Sequence, residues 1–182
     1  VIESSRTTTC SPCSTRRRQI SITISAQCTW LSGVSLKVGD TAEISGVVTF
    51  IDPLKQAFYF QDEDAGIRVE HARQMPEVGR RITLRAKVAT AYDEAAGLRS
   101  VRLTDSEVES QTGAELPDSP QIALADLLRG NAQREGRRLR TSGVVRFAQL
   151  GGDRLTLELG DAGQRITVTI LDANGLEPAS LI

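Results

Sequence analysis

The sequence predicts an all-β protein, and three observations carry that prediction. Ala42, Ile44, Gly46, Val48 and Phe50 occupy every second position of one stretch, the period of a half-buried strand. Turn-forming clusters such as Asp52-Pro53, Pro76-Glu-Val-Gly79 and Gly151-Gly152 punctuate the chain at short intervals. Finally, Ser45-Gly46-Val47-Val48-Thr49-Phe50 returns as Ser142-Gly143-Val144-Val145-Arg146-Phe147 after a shift of 97 residues, and the same shift lays Asp64-Ala65-Gly66 on Asp161-Ala162-Gly163. Several anchors at one offset predict two copies of one β unit.

Residues 1–21, rich in Ser, Thr and Arg, show no strand or helix period and read as a disordered tail. The first unit is expected over 22–109, with a weak amphipathic stretch near 26–33 and then the strand containing Gly46. A glycine weakens a strand interior unless a sharp bend or close backbone approach requires it, so Gly46 and Gly143 predict a strand that curls around a small barrel. Asp52-Pro53 makes a turn, and a second strand follows over 56–61. Phe58 and Phe60 fall on Leu155 and Leu157 under the shift, which points them to the core. Gly66 and Gly163 are expected to supply positive φ in the turns that end this strand. A third strand over 67–71, a fourth with Ile82, Leu84, Ala86 and Val88 alternating, and a fifth over 98–103 complete the unit. Five curled strands of this kind predict an oligonucleotide/oligosaccharide-binding (OB) type barrel.

Residues 110–121, carrying Gly113, Pro117 and Pro120, form the expected linker. The second unit, 122–182, opens with a helix in which Ser119 caps, Pro120 starts and Gly130 closes. It reaches its third strand at 164–170, so the second barrel is expected to be incomplete and the chain to continue past Ile182. The full prediction is therefore tandem five-stranded OB-like barrels, each preceded by a short helix, the second truncated.

Bulk properties exclude several functions. The 182 residues, 40% hydrophobic and 25% charged, suit soluble domains. A net charge of −1 argues against a dedicated phosphate-tracking protein. No apolar run is long enough for a membrane span. The three cysteines, Cys10, Cys13 and Cys28, all precede the strands, so the body folds without disulfides. Cys10-Ser-Pro-Cys13 has half the spacing of a zinc site, but no second pair of ligands follows. His71 is the only histidine, and its alignment with Val168 suggests a structural strand position. Asp62-Glu63-Asp64 lacks calcium-loop spacing and reads as a solvated turn. No nucleophile or phosphate-loop motif is present, so neither a catalytic residue, a metal nor a cofactor is assigned.

Binding residues follow from the alternation. With Phe58 and Phe60 inward, Tyr59 and Gln61 face outward, as does Arg68 on the third strand. OB barrels take ligands chiefly on this outer face, and an aromatic beside an arginine suits a base or sugar. Arg165 repeats Arg68 in the shifted alignment. The basic residues Arg129, Arg134, Arg137, Arg138 and Arg140 make an electrostatic footprint that lacks interleaved aromatics.

The string Gly39-Asp40-x-Ala-x-Ile44-x-Gly46-Val47-Val48-Thr49-Phe50-Ile51-Asp52-Pro53, then Phe58-Tyr59-Phe60-Gln61-Asp62 and Ala65-Gly66-Ile67, resembles the N-terminal OB-like repeats of certain bacterial sensor histidine kinases and related signalling proteins. The run from Leu124 to Val145 resembles the second copy of those repeats. The resemblance implies a non-catalytic, periplasmic or extracytoplasmic input module of a membrane-anchored parent, with kinase or cyclase domains elsewhere, and an unidentified small ligand or protein partner. The alternative expectation is a single-stranded nucleic-acid-binding OB module, such as one attached to a nuclease.

Overall fold

The computed structural model describes residues 19–25, 38–63, 65–93, 98–129 and 136–182, giving the backbone alone for 19–25, 91–93 and 98–100. The chain is mostly β. Its elements are β1 (Gln19–Ser25), β2 (Thr41–Asp52), β3 (Ala57–Gln61), β4 (Gly66–Val69), β5 (Arg80–Asp93), β6 (Leu98–Gly113), α1 (Leu124–Leu128), β7 (Arg138–Gly151), β8 (Arg154–Asp161) and β9 (Gln164–Ile170). They divide into two compact units, one of residues 25–120 with 131–139, the other of 1–24, 121–130 and 140–182. Among the described residues, no helix is long and apolar enough to cross a membrane.

The first unit is a closed barrel of order β2-β3-β4-β6-β5. All pairings are antiparallel except β4 with β6, which run parallel. Closure depends on β2, whose Val47 pairs with Gln61 on one side and Arg81 on the other. Gly46 makes that curl possible, because a Cβ there would lie 2.6 Å from a Phe60 ring carbon and 2.9 Å from the Gln61 carbonyl oxygen. A register shift between Val48 and Phe50 adds to the bend. Inside, Val48, Phe58, Phe60, Ile82, Leu84 and Leu103 are almost wholly buried, each contributing about 1.5–3 kcal/mol of hydrophobic stabilisation. Asp52 accepts a hydrogen bond from the Lys55 N–H at 3.3 Å, closing the single 3-10 turn of Pro53–Lys55.

The fifth barrel strand is longer than the expected 98–103. It runs to Gly113, into the segment read as linker, because β5 is itself long and pairs with it along its whole length. Two register shifts and the left-handed Asp105 (φ 50°) let this ribbon bend without losing its partner.

The second unit contains a four-stranded sheet of order β1-β7-β8-β9. Leu155, Leu157, Leu159, Val168 and Ile170 form its core with Val145. The helix starts later than expected. Gln121 pairs with Arg140 and the Ile122 N–H donates to the Arg140 carbonyl at 2.8 Å. Those residues are therefore extended, and α1 opens after Ala123 without a side-chain cap. The β8–β9 hairpin turns through Ala162 (φ 45°) and Gly163 (φ 84°), the paired positive φ of a type I′ turn. Residues 19–21, expected in a disordered tail, instead begin β1. Residues 1–18, the cysteines and the stretch 26–33 lie outside the described residues.

The two hairpins share a feature and differ in another. Both carry a register shift at positions 97 apart, Val48/Phe50 and Val145/Phe147. Val48 pairs with Phe60, however, whereas Val145 pairs with Leu159. The β7–β8 ladder continues two rungs further, to Gly151 opposite Arg154. Phe58 and Phe60 thus have Leu157 and Leu159 as register counterparts, two residues beyond the ungapped alignment. Because two is the strand period, the inward and outward faces survive the slip.

Candidate ligand-binding face

Alternation along β3 sends Phe58 and Phe60 inward and Tyr59 to the outer face. The register then lays Phe50, Tyr59, Arg68 and Arg102 in a row across β2, β3, β4 and β6. The Phe50 and Tyr59 rings are tilted with centroids 5.8 Å apart, and the Arg68 guanidinium carbon lies 5.8 Å from the Tyr59 centroid, within cation–π range. Two adjacent arginines would repel each other, and Glu70 resolves this. Its Oε1 accepts a hydrogen bond from Arg102 Nη1 at 2.5 Å and forms an ion pair with Arg68 Nη2 at 2.8 Å. Glu70 follows Arg68 by two positions and so shares its face; its N–H continues the parallel ladder to the Leu103 carbonyl at 2.8 Å.

The row is much less exposed than the sequence suggests. Tyr59 is 8% exposed, and the side chains of Arg68, Glu70 and Arg102 only 12%, 16% and 15%. Burial alone would raise the Glu70 pKa. The Arg102 hydrogen bond and the charges of Arg68, Arg102 and His71 outweigh it and hold the carboxyl below its ordinary value of 4.5. Arg68 Nε is buried and has no hydrogen-bond partner among the described residues. A buried donor in that state calls for an acceptor.

Gln61, expected outward and exposed, is 3% exposed. Its Oε1 accepts from the Arg138 N–H at 2.7 Å. Gly66 also departs from expectation: its φ is not positive, and it pairs with Gln61 as an ordinary strand residue. Its lack of a side chain has another cause. A Cβ there would lie 2.1 Å from the Gly136 carbonyl oxygen.

Arg165 belongs to the other unit and is not the register counterpart of Arg68. It sits opposite Gly160, the rung that Gly66 occupies against Gln61, because of the two-residue slip. Its Nη1 reaches Glu158 Oε1 at 3.1 Å. Together with Arg146, Asp161 and Gln164 it lines an open groove of about 380 Å³.

The remaining candidates have structural roles. Asp62 Oδ1 accepts from the Ala65 N–H at 2.7 Å and shapes the turn; Asp64 lies outside the described residues. His71 is exposed in a left-handed bend (φ 53°) just past β4 rather than on a strand. Of the basic cluster, Arg129 pairs with Asp126 at 2.6 Å, and Arg137 and Arg138 donate to the Glu63 and Pro117 carbonyls at 3.0 Å each. Arg134 lies outside the described residues.

Sequence reasoning missed Phe50, Glu70 and Arg102. Glu70 was readable from the period, two residues beyond Arg68. Arg102 was not, because a parallel pairing between strands separated by a third leaves no local trace. Comparison with protein-family models, curated proteins and solved structures finds no match for the chain.

Proposed function

We propose that the chain is a non-catalytic ligand-binding or input module built on OB-type barrels, the second unit being a related copy of the first. The barrel's strand order, with β4 parallel to β6, supports the OB reading, and the register shifts 97 residues apart support the copy. Binding is assigned to the outer face of β3 and β4. The observation that carries it is Arg68 Nε, a buried donor with no acceptor among the described residues, beside an aromatic ring and a second arginine. Such a group suits a small anionic or carbonyl-bearing ligand. The resemblance of the Gly39–Pro53 string adds the proposed setting, the extracytoplasmic part of a bacterial membrane signalling protein. Recovery of the protein with the cytosol on cell fractionation overturns that placement.

Thermal unfolding with a panel of uronic acids, dicarboxylates and inorganic phosphate tests the binding face. A ligand at one hundred times its Kd stabilises by about 2.7 kcal/mol. At least one compound should raise Tm in the wild type and not in Arg68→Lys, which keeps the charge but loses the Nε fork. No shift with any compound, or an equal shift in the variant, refutes the assignment. A single-stranded oligonucleotide retained on filters, with affinity falling steeply as salt rises, would move the conclusion to the nucleic-acid alternative. The near-complete burial of Tyr59 argues against that outcome, since base stacking needs an open ring face.

A further inference from the structure

The segment Gly136–Arg138 lies against one end of the proposed ligand face and belongs to the barrel unit. Its contacts are of one kind. Gly136 (φ 71°) presses its backbone on that of Gly66, so closely that a Cβ on Gly136 would lie 2.5 Å from the Gly66 carbonyl carbon. The Arg138 N–H donates to Gln61 Oε1 at 2.7 Å, Arg137 Nη2 to the Glu63 carbonyl at 3.0 Å, and Arg138 Nη1 to the Pro117 carbonyl at 3.0 Å. Gln61 and Gly66 face each other on one rung of the β3–β4 ladder, two residues along each strand from the Tyr59–Arg68 rung, which is about 7 Å.

We propose that Gly136–Arg138 is a strap that closes the ligand face in cis and lifts to admit ligand. This rests on the outer face being the ligand face. The contacts suit a reversible device. They are hydrogen bonds and a backbone contact, which water replaces on release at small net cost, so the strap opens without loss of the barrel core. Glycine at both 66 and 136 allows the close seating.

The test is made on the full chain without ligand. Amide exchange at Arg138 should be slower than for an exposed amide but clearly faster than at Val69 and Leu84 in the barrel core. Exchange at the core rate means that the strap opens only with global unfolding, and this overturns the proposal. Gln61→Ala should speed Arg138 exchange about tenfold, the effect of one lost hydrogen bond, with core exchange unchanged, and Gln61→Glu should restore protection because it keeps an acceptor. Nitration of Tyr59, resolved from Tyr92 by peptide mapping, should rise in parallel in Gln61→Ala. Faster Arg138 exchange with unaltered Tyr59 reactivity shows a strap that gates nothing and refutes the idea. Should Gln61→Ala fail to fold, the wild-type exchange comparison decides. Failure of the ligand panel leaves these readouts unaffected, so the two proposals fall separately.

Discussion

Replacing Glu70 by Gln removes the carboxylate charge that pairs with both Arg68 and Arg102. The carboxylate takes one charge-assisted hydrogen bond, from Arg102, and an ion pair with Arg68 through the same oxygen, and a hydrogen bond to a charged group contributes about 1.5–3 kcal/mol. The amide oxygen retains part of this, while the two partly desolvated guanidinium groups lose the carboxylate that stands between their charges, an outcome that costs several kcal/mol when fully buried. With the side chains 12–16% exposed, the net loss should be about 2–4 kcal/mol. Urea unfolding with an m value of about 1–2 kcal/mol/M translates this into a midpoint lower by roughly 1–4 M.

The same variant carries a pH signature. Because the folded pKa of Glu70 lies below its unfolded value of about 4.5, its contribution is fully present above that value. It is lost as pH falls through the lowered folded pKa. Wild type and Glu70→Gln should therefore differ most near neutral pH and converge in acid. A loss under about 1 kcal/mol at neutral pH, or a gap that stays constant into the acid range, refutes the bridging role.

Two further substitutions test the barrel and the sheet. Gly46→Ala drives a Cβ into the Phe60 ring and the Gln61 backbone and should cost about 1–3 kcal/mol in thermal or urea unfolding; Gly143→Ala, whose nearest neighbour is 3.2 Å away, should cost clearly less. Equal losses would deny that the curl of β2 sets the need for glycine. Leu84→Ala and Leu157→Ala each empty a wholly buried site, one per core, and should cost about 2–5 kcal/mol. Exchange protection should drop in the mutated unit alone, and a matching drop in both units would contradict two separate cores.

Much of the fold was legible because strand period and turn chemistry are local. The β2 alternation as far as Val48, the Asp52-Pro53 turn and the inward pair Phe58 and Phe60 all follow from residues within a few positions of one another, whereas the register shift after Val48 moves Phe50 from the expected core face to the row with Tyr59. What escaped was set by partners distant in sequence. An ungapped alignment is blind to two extra rungs in the β7–β8 hairpin, so it matched Arg165 to Arg68 and made Gly66 a turn glycine. The length of β6 depends on β5, and the start of α1 on a bridge from Gln121 to Arg140. For the site, period two set Tyr59 and Gln61 apart from the core pair Phe58 and Phe60. It carried no information on burial, because Arg138, which meets Gln61, lies 77 residues downstream.

Strand β1 shares a sheet with β7, β8 and β9, although the barrel's residues 25–120 come between them. In order of synthesis, β1 emerges before the barrel and its neighbour β7 only after it. Until β7 appears, its alternating Ile20, Ile22 and Ile24 wait as an unpaired strand, the kind of edge that invites misassembly. Bringing β1 to β7 across a flexible chain of that length costs on the order of 4 kcal/mol in closure entropy. A barrel that folds first replaces most of that chain with a rigid body, so the interrupted sheet inherits its folding schedule from the domain that interrupts it.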